Sequence, residues 1–487
     1  MKKLSLSFMA IITITLAWAQ NSTDTLRIKE RCPLGIDLCK KLPDFELATK
    51  KEGTFLTGLP RVEFDPIRGL GLGGDAFLYF NKTRNDPFFE YTPYRHRFNL
   101  EFFIFTNGRI RYALNYDAPY IFNSKWRVRA DAVLWEDPNA QYWGIGRSYL
   151  KPLQFRDKKT GSFRNFNKVE EYENNLALAE LGENGNYYTD YYFNQMQQRE
   201  QLYNILVERV MLGGKLRFLF GYEALFTSFS SYQNLEVDEC YTIDGQKVKA
   251  LNKRTLVDIQ REDGTWEKFN ITGFTNSHKY MFTSMIAAAL IYDTRDFEPD
   301  PSKGVFLEYS HEYSGPWLGS QFHFNKFMLQ GQYFYTLKKW RNNKNRLTLA
   351  GLTAFGYIFG PKINFIEMWD LSSQAEAGGI LVLGGNRSIR GFREARFVAP
   401  TVALVNLEAR VKFYDFHFLK QHFTLGAIAF YDFGSIWDKP AEISFDKWIS
   451  APGLGARINW NQSTVIRLDY ATSKEGSQTF LGFGHIF

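Results

Sequence analysis

The residues best suited to chemistry lie in one glycine-rich stretch. Positions 378–398 read Gly-Gly-Ile-Leu-Val-Leu-Gly-Gly-Asn-Arg-Ser-Ile-Arg-Gly-Phe-Arg-Glu-Ala-Arg-Phe-Val. Glycine permits a tight fold-back, and Gly391 after Arg390 would let a tip turn and aim the guanidinium. Such a group is built for recognition: its planar fork takes up a carboxylate directionally and stays charged. Groupings that catalyse are not evident. The seven histidines (His96, His278, His311, His323, His417, His422 and His485) contain no His-x-x-x-His pair, and no Gly-x-Ser-x-Gly elbow occurs. Asp370 and Glu376 read as solvated loop carboxylates. The expectation is a protein that is not an enzyme and uses no metal or cofactor.

The chain that must position this stretch has 487 residues, 45% hydrophobic, 17% aromatic and 23% charged. That hydrophobic content excludes disorder. After the N-terminus no apolar run of about 18 residues appears, so a helical membrane protein is excluded as well. The net charge of +7 is diffuse and forms no basic cluster, so no nucleic-acid partner is expected. Lys2 and Lys3, the apolar stretch Leu4 to Leu16 and Ala17-Trp18-Ala19 together predict a signal peptide over residues 1–19. Cys32 and Cys39 could close a small loop in an oxidising compartment or remain two thiols; Cys240 has no evident partner.

Strand follows strand after that. Arg97, Asn99 and Glu101 alternate with Phe98, Leu100, Phe102 and Ile104. Asn406, Glu408, Arg410 and Lys412 alternate in the same way with Leu407, Ala409 and Val411. Period 2 marks strands with two unlike faces. With an export signal and so many aromatic rings, the apolar face is assigned to outer-membrane lipid and the charged face to a wet lumen. Hydrocarbon cannot satisfy free sheet edges, so the sheet must close.

Sixteen strands are predicted, at 59–65, 69–82, 94–106, 108–120, 125–136, 196–211, 213–229, 277–294, 304–314, 320–337, 344–359, 399–415, 420–434, 450–460, 463–472 and 477–487. The long connections, 137–195, 230–276, 360–398 and 435–449, each follow an odd-numbered strand. Those after even-numbered strands are mostly short, such as Leu212-Gly213-Gly214. Bacterial barrels turn tightly on the periplasmic side and loop outside, which puts both termini in the periplasm. The expected fold is therefore all-β: a transmembrane antiparallel barrel over 59–487 in the bacterial outer membrane, preceded by a short periplasmic segment, 20–58. The glycine-rich stretch falls between strands 11 and 12. In the last strand Thr479, Leu481, Phe483, His485 and Phe487 share a face. Ending on an aromatic, it reads as the signal that barrel-assembly machinery recognises, or as a girdle residue that happens to be last.

Ser388-Ile389-Arg390-Gly391-Phe392 resembles the V/I-R-G-F/Y motif of the outer-membrane BamA/TamA surface-antigen superfamily. Phe430-Tyr431-Asp432-Phe433-Gly434 resembles its F-x-D-x-G, and Asn406 to Arg410 its N-x-E-x-R strand. Tyr292-Asp293-Thr294-Arg295-Asp296, with Pro301 and Gly304, resembles the turn opening its second half-barrel. Pro452 to Gly455, Arg467 to Ala471 and Tyr142 to Gly146 match further segments. The resemblance spans roughly 59–487 and is best from 290 onward. It implies a loop folded into the lumen, with Arg390 meeting a wall carboxylate: Asp432, or Glu408 as second candidate. Removing one partner of a buried pair would cost about 3–5 kcal/mol. Two solvated lumen charges would be worth only about 0–1 kcal/mol.

The resemblance also limits what carries over. Relatives that insert or secrete proteins bear periplasmic POTRA modules, and residues 20–58 are too few for one. A periplasmic or surface lipoprotein could supply that part. The leading expectation is a barrel that inserts or translocates protein or lipid. The alternative is a passive pore or structural surface antigen.

Overall fold

The computed structural model describes residues 33–36, 41–42, 47–48, 50–237, 241–243, 246–277, 279–341, 345–369, 371, 382–418, 421–460 and 464–487. The signal peptide, Cys32, Cys39, Cys240, His278, Asp370 and Glu376 lie outside them.

Sixteen antiparallel strands close into a barrel. In chain order they are β1 (Gly53–Asp65), β2 (Gly69–Asn81), β3 (His96–Phe105), β4 (Ile110–Ala118), β5 (Trp126–Gln141), β6 (Gln195–Met211), β7 (Leu216–Ser230) and β8 (Met281–Asp293). The second half comprises β9 (Gly304–Ser314), β10 (His323–Trp340), β11 (Asn345–Asn364), β12 (Thr401–Phe418), β13 (Gln421–Trp437), β14 (Ile449–Trp460), β15 (Thr464–Ser473) and β16 (Gly476–Phe483). Each strand from β1 to β15 pairs with the next in sequence. Alternation explains the two faces. On β3, Phe98, Leu100, Phe102 and Ile104 are exposed outward, and on β12 Leu407 is exposed while Asn406, Glu408 and Arg410 are buried inward. A continuous apolar exterior around a charged interior is the inverse of a soluble sandwich.

Most strand limits shift by a few residues from expectation, and three of the shifts matter here. β1 begins at Gly53, not at residue 59, so it is a full thirteen-residue strand. Gly58 and Pro60 look like breakers in sequence, but proline is tolerated on an edge strand, and β1 is nearly that. It pairs with β2 along its whole length, yet meets β16 at one register pair, Phe64↔Leu481. β5 runs on to Gln141, through Pro138. Finally, β16 stops at Phe483. Gly484 takes φ +76°, a left-handed conformation that ends the alternation.

The ends of the barrel are furnished differently. At the short-turn end, residues from the N-terminal segment lie across the 82–95 connection. The Leu42 amide donates to the Glu90 carbonyl (2.8 Å), and Lys41 pairs with the Glu90 carboxylate (2.7 Å). Ile36 packs with Phe88, Tyr120 and Val210. At the opposite end the long connections fold into a cap rather than trailing as loops. It holds helices Val169–Ala177 and Leu256–Glu262 and a parallel pairing of Tyr187–Thr189 with Ala250–Asn252. Tyr142, Trp266, Phe274 and Phe365 of the cap share one apolar core with Phe229 and Ile358 of the wall.

Candidate functional site

Strands β12 to β15 present inward charges and polar groups at some of their lumen-facing positions, which fall at every second residue. On β12 these are Asn406, Glu408 and Arg410; on β13, Asp432; on β14, Arg457; on β15, Arg467 and Asp469. Residues 382–398 of the β11–β12 connection lie in the lumen and set Arg390 against them.

Arg390 is fully buried. Its Nε and Nη2 donate to the two oxygens of Asp432, both at 2.8 Å, and its main-chain amide adds a third bond to the same carboxylate (3.2 Å). Nη1 lies 2.9 Å from Glu408 Oε1 and donates to Asp469 Oδ2 (3.3 Å). The guanidinium also sits over the Phe430 ring, 3.4 Å from its centroid. Asn406 donates to both Asp432 and the Ser388 carbonyl, each at 2.7 Å, tying wall to loop. Asp432 and Glu408, alternatives in sequence, are thus both partners.

Asp469 is the partner that sequence reasoning missed. Arg467-Leu468-Asp469-Tyr470 was noticed as a strand match, and period 2 puts Asp469 inward. What it could not show is that β15 curves round to face Arg390. Asp469 in turn accepts from Arg457 (2.6 Å) and Arg467 (3.5 Å), and Arg467 also donates to the Asn386 carbonyl of the loop (3.0 Å).

The loop's other motif residues pack around this centre. Ile389 and Phe392 are buried, with Phe392 edge-on to Phe397 at 5.1 Å. Gly391 is needed for close approach, not for a left-handed turn. A Cβ there would meet the Ala451 Cβ at 2.6 Å and the Thr472 carbonyl oxygen at 2.7 Å. The left-handed positions among the described residues of the loop are Gly384, Gly385 and Ala395. On the wall, a Cβ at Gly434 would lie 2.6 Å from the Ala403 carbonyl oxygen and 3.0 Å from Leu383 of the loop. Gly391→Ala is therefore expected to destabilise the barrel by about 1–3 kcal/mol, as overpacking does. The urea midpoint of barrel refolded in detergent measures it; an unmoved midpoint would mean the tip is not seated on β14 and β15.

Further contacts clamp the loop toward the cap. Arg396 grips Glu475 with Nε (3.0 Å) and Nη2 (2.7 Å), and Arg393 grips Glu173. Glu394 meets Arg68 in the β1–β2 turn. Burial would raise the Glu394 carboxyl, but the neighbouring Arg68 and Arg109 guanidinium groups outweigh it and hold that carboxyl below the usual range.

Two other sets of motif residues stand apart. Asp293 and Arg295 pair with each other (3.1 Å) and shape the β8–β9 turn, away from Arg390. Phe483 ends β16 on its outer side, whereas His485 and Phe487 leave the outer face expected for them, because Gly484 turns the chain inward. His485 Nε2 lies 3.3 Å from Asp300, the Phe487 ring is 6.2 Å from Phe334, and the Phe487 carbonyl accepts from Arg410 (3.1 Å).

A closed antiparallel barrel with an apolar exterior, a charged bore and a loop drawn into that bore defines a membrane-barrel class. Residues 85–484 match the Omp85 superfamily domain, and the chain belongs to that superfamily. Residues 32–95, which hold the N-terminal segment and the first hairpin, match a domain of unknown function, DUF5982. No curated protein matches the chain in sequence. Among solved structures it is similar to BamA from Haemophilus ducreyi lacking POTRA domains 1-3, at 10% identity and a TM-score of 0.48, covering 89% of this chain and 70% of that one. It is also similar to CdiB from Escherichia coli, at 10% identity and a TM-score of 0.47, covering 88% of this chain and 62% of the other.

Proposed function

We propose that this protein is an outer-membrane barrel that inserts or translocates protein or lipid through the seam between β1 and β16. The supporting observation is the single register pair Phe64↔Leu481. Below it β1 continues to Gly53 with β2 on one side only, while β16 has already turned inward after Phe483. Backbone N–H and C=O groups facing hydrocarbon without partners are costly, so an incoming strand or a lipid headgroup would be welcome there. The slit lies toward the short-turn end, the side from which a periplasmic client would arrive. A periplasmic or surface lipoprotein is the proposed partner, with the segment around residues 33–50 as its platform. Cross-linking the seam shut tests the proposal: transport stops and returns on reduction.

The second reading, a structural surface antigen or passive pore, is favoured by the ordered cap over the long-loop end. It makes a separate forecast in planar bilayers. If the in-folded loop fills the bore, deleting residues 378–398 raises the single-channel current severalfold; an unchanged current would rule out the loop as the plug.

A further inference from the structure

We infer that the periplasmic mouth of the lumen holds a binding site for a phosphate group, either a free ion or one carried on a lipid headgroup. The site is a small cleft between the β8–β9 turn and the inner faces of β11 to β14. Arg346, Arg410, Lys412, Arg457, Asn459 and His485 line it together with the buried Asp300.

Two independent observations point to an anion. The first is charge. Asp300 alone is shared by Arg346 (2.7 Å), Lys412 and the His485 ring. Farther in, a separate set of ion pairs holds Arg390, Arg410, Arg457 and Arg467 on Glu408, Asp432 and Asp469. At the cleft itself Arg346 and Lys412 share the single carboxylate of Asp300, a surplus of one cation. A surplus inside low-dielectric walls focuses potential on the cleft.

The second is unspent hydrogen bonding. Asn459 is 1% exposed, and neither its Nδ2 nor its Oδ1 has a hydrogen-bond partner among the described residues. Arg457, 3% exposed, spends Nη1 on Asp469 and leaves Nε and Nη2 unpaired, and Arg410 Nη1 is unpaired as well among the described residues. Buried polar atoms in a folded protein normally have partners, so donors left over around one cleft mark the place of an acceptor. Guanidinium and ammonium donors converging with an amide suit the several oxygens of a phosphate. The inference needs no activity at the seam and stands if the insertion reading fails.

Isothermal titration of the full barrel in dodecylmaltoside with inorganic phosphate, at fixed ionic strength, tests it. The expected result is saturable binding, weakened at least tenfold in Lys412→Gln and in Asn459→Leu. Asn459→Leu changes no charge and covers the case in which Lys412→Gln does not fold. Repeating the titration in nanodiscs separates the sources. Heat lost in phosphatidic acid discs but kept in phosphatidylcholine discs assigns the site to a phosphomonoester headgroup, heat lost in both to a headgroup phosphate in either ester form, and heat kept equally in both to the free ion. No saturable heat in micelles, or equal binding by the wild-type chain and Asn459→Leu, would overturn the inference.

Discussion

Arg390→Ala is expected to destabilise the barrel by about 3–5 kcal/mol, since it leaves several buried carboxylates without their shared cation. The geometry makes the upper part of that range the relevant one. Arg390, Asp432 and Glu408 have fully buried side chains, and Asp432 receives three hydrogen bonds from the one residue. A solvated pair would be worth about 0–1 kcal/mol, so equilibrium unfolding in detergent separates the two cases cleanly. Arg390→Lys sharpens the reading: it keeps the charge but loses the planar fork, and should recover only part of the loss. Asp432→Asn added to Arg390→Ala should cost much less than it does alone, because the two belong to one network. An Arg390→Ala barrel that unfolds at the wild-type urea concentration would remove the loop anchor from the account.

The second large effect concerns the seam. In Phe64→Cys/Leu481→Cys the new thiols sit on directly opposed residues of an antiparallel pair, whose side chains come close enough for a disulfide. Oxidation should leave the barrel folded, as judged by its resistance to SDS without heating, and should abolish its ability to support a cell depleted of the wild-type protein. Reductant should restore that ability, which a merely misfolded variant would not do. An oxidised, locked barrel that sustains growth would defeat the seam proposal and favour surface display.

Much of this architecture can be read from residue types alone. The two-residue period sets the strand number, and the placement of long connections after odd strands sets which end is which. Arg390 and its first two partners are located by the resemblance of their motifs to the family's, with inward parity in support; residue types alone do not pair them. The residues that cannot be read are those whose role depends on curvature or on a single backbone angle. Asp469 lies 79 residues from Arg390 in sequence, and only closure of the ring brings them within 3.3 Å. One positive φ at Gly484 reverses the direction of His485 and Phe487, though their spacing alone puts them outside. Gly391 looks like a hinge when its use is to leave room for Ala451.

The apolar cluster over the long-loop end also dictates an order of events. Its members come from positions as far apart as Ala140 and Ala451, some on the wall and some on segments that must first cross the bilayer. Contacts of such sequence separation form late, after their chain-closure entropy has been met. A soluble protein collapses its greasy centre early and decorates it afterwards. Here the wall must be nearly finished before the roof can set, so resistance of the outer segments to added protease becomes a clock for completed biogenesis.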